Sequence, residues 1–122
     1  MVIRGKIPGT TEVTTIEIDG ATIRSVGNGT DVDLGGDDVW VAPAIFDVQV
    51  NGVGGINYKA KDLTVEKVVE TTEWMYKTGT GMWCPTVTTS SAEDAINGLK
   101  VLAQSCQESA AAAASFAGFH VE

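Results

Sequence analysis

The chain has 122 residues, 43% hydrophobic and 20% charged, the composition of a globular protein of one modest domain. Eight basic residues against sixteen acidic ones give a net charge of −8, which repels phosphate backbones and argues against nucleic acid as a partner. No apolar run approaches the roughly 20 residues of a membrane span, and Met1-Val2-Ile3-Arg4-Gly5-Lys6 lacks the apolar core of a secretory signal.

Val13 to Ile18 and Thr22 to Val26 are β-branched runs, and Asp19-Gly20 between them predicts a two-residue hairpin. Asn28-Gly29, Gly35-Gly36 and Asp37-Asp38 read as turns before Val39-Trp40-Val41. Residues 1–40 are therefore expected to form a short antiparallel β segment that needs something to pack on.

From Ala44 the period alternates between two and 3.6. Phe46, Val48 and Val50 face one way on a first strand, suited to a covering helix, while Asp47, Gln49 and Asn51 face the other. That strand breaks at Gly52, Gly54 and Gly55, where the backbone can turn sharply or approach a ligand. Thr64 can cap a helix with the stripe Val65, Val68, Val69, Thr72 and Met75, stopped by Gly79. Gly81 to Thr88 reads as a second strand, with Met82, Cys84, Thr86 and Thr88 on one face and Trp83, Pro85 and Val87 on the other. Pro85 removes a ladder donor and so belongs at a strand end or a bulge. Ser90 or Ser91, with Glu93 or Asp94 three residues on, forms a capping box. A helical stripe of Ala92, Ala95, Ile96, Leu99, Ala103 and Cys106 follows, and Ala110 to Ala114 ends that helix or its linker. Ser115 to Glu122 alternates again as a third strand, so the whole reads as parallel βαβ units.

The third strand places Gly118, His120 and Glu122 on one face and Ala117, Phe119 and Val121 on the other. In an α/β barrel the polar set would point inward at the C-terminal end of the strand, where such folds build active sites. A carboxylate there is costly unless it is paired or binds a metal, although a charge at a chain end is commonly just solvated. His120, the one histidine, reads as an internally hydrogen-bonded residue more readily than as a ligand. Gln49 and Asn51 are poor ligands for a transition metal. They suit packing inside a barrel equally with hydrogen bonding to substrate or to metal-bound water. Trp40, Trp74 and Trp83 are read as core residues. Cys84 and Cys106 stand in no metal-binding spacing and read as two reduced thiols in a cytosol. The Gly52–Gly55 segment has none of the P-loop pattern.

Three motifs together carry a resemblance to a known family. Val41-Ala42-Pro43-Ala44-Ile45-Phe46-Asp47-Val48-Gln49-Val50-Asn51-Gly52-Val53-Gly54-Gly55 resembles the first barrel strand of N-acetylglucosamine-6-phosphate deacetylases, in the amidohydrolase superfamily. Gly79-Thr80-Gly81-Met82-Trp83-Cys84-Pro85-Thr86-Val87-Thr88-Thr89 resembles their second strand. Gly118-Phe119-His120-Val121-Glu122 resembles their third, where the glutamate of a His-x-Glu-Gly-Pro motif binds the catalytic metal. The matches fall in order over residues 41–122, and Ala44 stands where the family usually has glycine.

The resemblance implies an α/β fold, the N-terminal part of a metal-dependent hydrolase (β/α)8 TIM barrel preceded by a small β-sandwich segment. Residues 1–42 would be the β-rich segment, and 43–122 the first three β-strands and two helices of an incomplete barrel. Glu122 would be the metal ligand. Gln49-Val50-Asn51 stands where many superfamily members carry His-x-His, as in the subgroup using one divalent metal, zinc or iron. Gln49 and Asn51 would bind substrate. The catalytic groups and remaining metal ligands are expected downstream, since a barrel needs about 250 residues. The parent protein would be a cytoplasmic homodimer that hydrolyses the acetamide of an amino-sugar phosphate, while this chain alone would bind zinc weakly and be inactive. Two alternatives stand beside it: another amidohydrolase acting on a cyclic or linear amide, and a standalone, non-catalytic α/β domain.

Overall fold

β-Branched residues recur through the first forty positions, and the computed structural model, which describes residues 1–122, folds them into a four-stranded sheet. Its strands are β1 (Val2–Lys6), β2 (Val13–Asp19), β3 (Thr22–Gly27) and β4 (Leu34–Trp40), in the order β3-β2-β1-β4. The β2–β3 hairpin forms, with Gly20 at φ +58° and Ala21 as its loop, one position later than Asp19-Gly20 predicts. In register across the sheet, Val26, Ile16, Ile3 and Leu34 make an apolar row.

Two expectations fail in this sheet. Gly35-Gly36 and Asp37-Asp38 lie inside β4 instead of forming turns, and β4 runs parallel to β1, so the sheet is mixed. The cause is a close backbone approach. Gly35 sits at φ +93°, where an added Cβ would come within 2.0 Å of the Arg4 carbonyl oxygen, beside a register shift between Arg4 and Lys6. Arg4 Nε donates to Asp37 Oδ1 at 2.7 Å, and Lys6 Nζ lies 3.6 Å from Asp38, so basic residues of β1 answer the acidic pair.

Met1–Pro43 forms one compact unit and Ala44–Glu122 a second. In the second, β5 (Ile45–Val50), β8 (Thr80–Val87) and β9 (His120–Val121) form a parallel sheet in the order β5-β8-β9. The Gly52–Gly55 segment is not an open loop. It makes a small hairpin of β6 (Gly52–Val53) and β7 (Ile56–Asn57), with Gly54 and Gly55 at positive φ in its turn. Three strands do not close, so no barrel exists within this chain.

Helix α1 (Val65–Lys77) starts where Thr64 Oγ1 accepts from Lys67 N–H, and Gly79 at φ +81° turns the chain out of it. Val68, Thr72 and Met75 of the expected stripe are buried together with Thr71, while Val65 and Val69 are half-buried. Helix α2 (Ala92–Glu108) begins with the Ser91–Asp94 capping box, in which Asp94 N–H donates to Ser91 Oγ at 3.1 Å. Its buried face is rotated from the expected one: Gly98, Leu102 and Ser105 are buried, Ala95 and Leu99 of the stripe pack against the core, and Ile96 and Ala103 are exposed. Gly98 decides this rotation, because the Tyr58 carbonyl oxygen would lie 2.3 Å from any Cβ there. Ser105 satisfies its hydroxyl on the Val101 carbonyl at 2.7 Å and so tolerates burial. The alanine run becomes a separate short helix α3 (Ala110–Ser115), capped by Ser109.

Trp83, Pro85 and Val87 pack outward from β8 into a core with Val50, Tyr58, Leu63, Val68, Met75 and Leu102. Burial of each large apolar side chain stabilises by about 1.5–3 kcal/mol. The register of β5 on β8 skips between Asp47 and Val50, which pairs with Pro85, so the proline lies at the irregularity its missing N–H requires. Phe46 and Val48 are not covered by a helix: they are 54% and 64% exposed, because β5 is an edge strand, and only Val50 is buried. Of the three tryptophans only Trp83 is core; Trp40 and Trp74 are exposed. No helix is long and apolar enough to cross a membrane.

Candidate functional site

Parallel pairing brings the C-terminal ends of β5, β8 and β9 to one edge of the sheet, so side chains projecting there from three distant segments can meet. Gln49 comes from the end of β5 and Glu122 follows β9 directly. Although β8 lies between their strands, Gln49 Nε2 donates a hydrogen bond to Glu122 Oε1. The main chain holds both ends in place: Glu122 N–H donates to the Val87 carbonyl at 3.1 Å, and Gln49 N–H to Asp47 Oδ1 at 3.0 Å. Both side chains remain open to solvent.

His120 projects from the same face two residues earlier. It pairs in register with Thr86 on β8, and its Nδ1 lies 3.5 Å from Thr86 Oγ1. Thr86 is buried, and its hydroxyl donates to the Cys84 carbonyl at 3.1 Å. Asn51 does not join this group; it lines a shallow hollow of about 420 Å³ with the Gly52–Asn57 hairpin. Lys59 reaches the same strand ends from the following loop, its ammonium donating to the Thr89 carbonyl at 3.0 Å. Neither Thr86 nor Lys59 stands out in the sequence. Thr86 has only its place on the polar face of its strand, and Lys59 is an isolated charge in a polar loop.

Behind the strands, Tyr58 donates its hydroxyl hydrogen bond to Thr71 Oγ1 at 3.1 Å, and Thr71 in turn donates to the Val68 carbonyl at 2.6 Å. Burial pushes the Tyr58 phenol above its ordinary range, against smaller opposing effects of Thr71 and the neighbouring Trp83 indole. The Trp83 indole N–H makes no hydrogen bond of normal geometry.

Glu122 is a hard oxygen donor of the kind a divalent cation takes, with Oε1 occupied by Gln49 and its second oxygen without that bond. Zinc needs about four ligands. The chain holds no group of three His, Cys, Asp or Glu residues that could bind a metal ion. These residues offer one ligand position, and they do not fit a complete metal site.

The second unit has a parallel βαβ architecture, with polar side chains gathered at the C-terminal ends of its strands. Among solved structures, the chain matches N-acetylglucosamine-6-phosphate deacetylase from Pasteurella multocida with a TM-score of 0.70 and 21% identity, over 99% of this chain and 34% of that one. It matches N-acetyl-D-glucosamine-6-phosphate deacetylase from Mycobacterium smegmatis with a TM-score of 0.74 and 21% identity, over 100% of this chain and 35% of that one. A point mutant of the latter, in complex with N-acetyl-D-glucosamine-6-phosphate, gives 0.74 and 20% identity, over 99% and 32%. The fold of this chain is that of about one third of the length of these deacetylases. No family model and no curated protein matches the sequence.

Proposed function

We propose that this chain is the N-terminal portion of an N-acetylglucosamine-6-phosphate deacetylase, a cytoplasmic homodimer of amino-sugar catabolism. In this reading residues 1–42 contribute to a small β-sandwich domain and residues 43–122 open a (β/α)8 barrel. Support comes chiefly from the meeting of Gln49 and Glu122 at the C-terminal ends of parallel strands, in a fold shared with solved deacetylases. Glu122 is assigned as one ligand of a divalent cation, zinc or iron, which when bound would polarise the acetamide carbonyl and lower the pKa of a water. Gln49 keeps one Glu122 oxygen engaged and so orients the carboxylate. Gln49 and Asn51 are assigned to polar groups of the sugar, with the proton-transferring group supplied from outside this chain.

The test is acetate release from N-acetylglucosamine 6-phosphate with zinc or iron(II) present. The 122-residue chain is expected to bind zinc weakly and to release no acetate. A longer protein containing it is expected to be active and to lose at least about 100-fold of that activity on Glu122→Gln, as for loss of a ligand or its orienting partner. Metal-dependent acetate release by the 122-residue chain, or full activity of the Glu122→Gln protein, would overturn the assignment.

A further inference from the structure

The contacts around Thr86 bear on which nitrogen of His120 carries a proton. A threonine hydroxyl has one hydrogen to give. Thr86 spends it on the Cys84 carbonyl at 3.1 Å, a shorter contact than the 3.5 Å to His120 Nδ1. Toward His120, Thr86 Oγ1 can then only accept, so a hydrogen bond between the two has Nδ1 as its donor. A neutral imidazole protonated at Nδ1 has its lone pair at Nε2. The strand register makes this a built arrangement: Thr86 and His120 are direct partners on β8 and β9, and Thr86 is fully buried.

We propose that Thr86 is the positioning residue of His120, holding it as the Nδ1–H tautomer so that Nε2 serves as a hydrogen-bond acceptor beside Glu122 for a hydroxyl or amide N–H of the substrate. The class of ligand rests on the deacetylase reading; the tautomer does not. An unconstrained histidine side chain favours the Nε2–H tautomer, so a specific partner is needed to hold the proton on Nδ1. The chain presents a carboxylate and an imidazole two residues apart at the same strand end.

Because His120 is the one histidine, nitrogen-15 NMR of the 122-residue protein gives a single set of imidazole signals. Under alkaline conditions, with the ring neutral, a pyrrole-like Nδ1 and a pyridine-like Nε2 are expected. Thr86→Val should shift the ring toward Nε2–H or a mixture, and Thr86→Ser should restore the original pattern. An Nε2–H ring in the unsubstituted protein overturns the proposal, as does a peptide-like mixture that Thr86→Val leaves unchanged. Added N-acetylglucosamine 6-phosphate should move the Nε2 signal of the unsubstituted protein. An unmoved Nε2 signal on an intact Nδ1–H ring would overturn the assignment of Nε2 as an acceptor for this substrate while leaving the role of Thr86 standing.

Discussion

Burial of the Tyr58 phenol carries a cost that only alkaline pH exposes. Its folded pKa lies above the unfolded value of 10.0, so the stability tied to the neutral phenol is fully present below about pH 10 and is lost as pH rises through the folded value. Tyr58→Phe should flatten that alkaline decline in urea unfolding followed from about pH 8 to 11, compared with Tyr76→Phe as a control. At neutral pH it should cost about 1 kcal/mol for the lost bond to Thr71. An alkaline decline as steep in the Tyr58→Phe protein would show that the phenol is not its source. Single residues were unevenly legible from sequence. The caps Thr64 and Ser91 follow from local chemistry, because an N-cap needs only its neighbours three residues on. Tyr58, Thr71 and Thr86 draw their roles from segments 13 to 34 positions away, and no local pattern announces such partners.

At the scale of elements, Ala44 and Gly81 form a size-matched pair at the start of β5 and β8. A Cβ on Gly81 would sit 2.6 Å from the Ala44 Cβ, so the alanine before β5 is tolerated because its neighbour has no side chain. Gly81→Ala should destabilise by about 1–3 kcal/mol through overpacking, and adding Ala44→Gly should recover most of the loss. A double-mutant cycle by urea denaturation checks this; additive effects would mean that the two positions do not touch. The strands and helices of the second unit were readable because hydrophobic period and caps agree there. The rotation of α2 was not, since the Tyr58 backbone pressing on Gly98 outweighs the apolar stripe through Ile96 and Ala103. The parallel pairing of β4 escaped for a similar reason: glycines and aspartates that ordinarily make turns are held extended by the Arg4 main chain and side chain.

On the scale of the whole molecule, the parallel sheet ends in an edge strand that carries Ile45, Phe46 and Val48 exposed. An open, apolar edge is a template for pairing with other chains, and nothing in the hydrophobic pattern of β5 distinguishes a central strand from an edge one. Val48→Lys should lower the light scattering of the concentrated 122-residue protein while leaving its circular dichroism unchanged. Equal scattering from both proteins would place any self-association elsewhere on the surface.

The unequal placement of the indoles also makes the molecule report on itself. Trp83 is 0% exposed, whereas Trp40 is 62% and Trp74 42% exposed. Under ultraviolet excitation the shortest-wavelength emission should therefore arise from the middle strand beneath the candidate site. Added acrylamide should extinguish the other two emitters first, leaving a residual glow that reddens only when that strand comes apart.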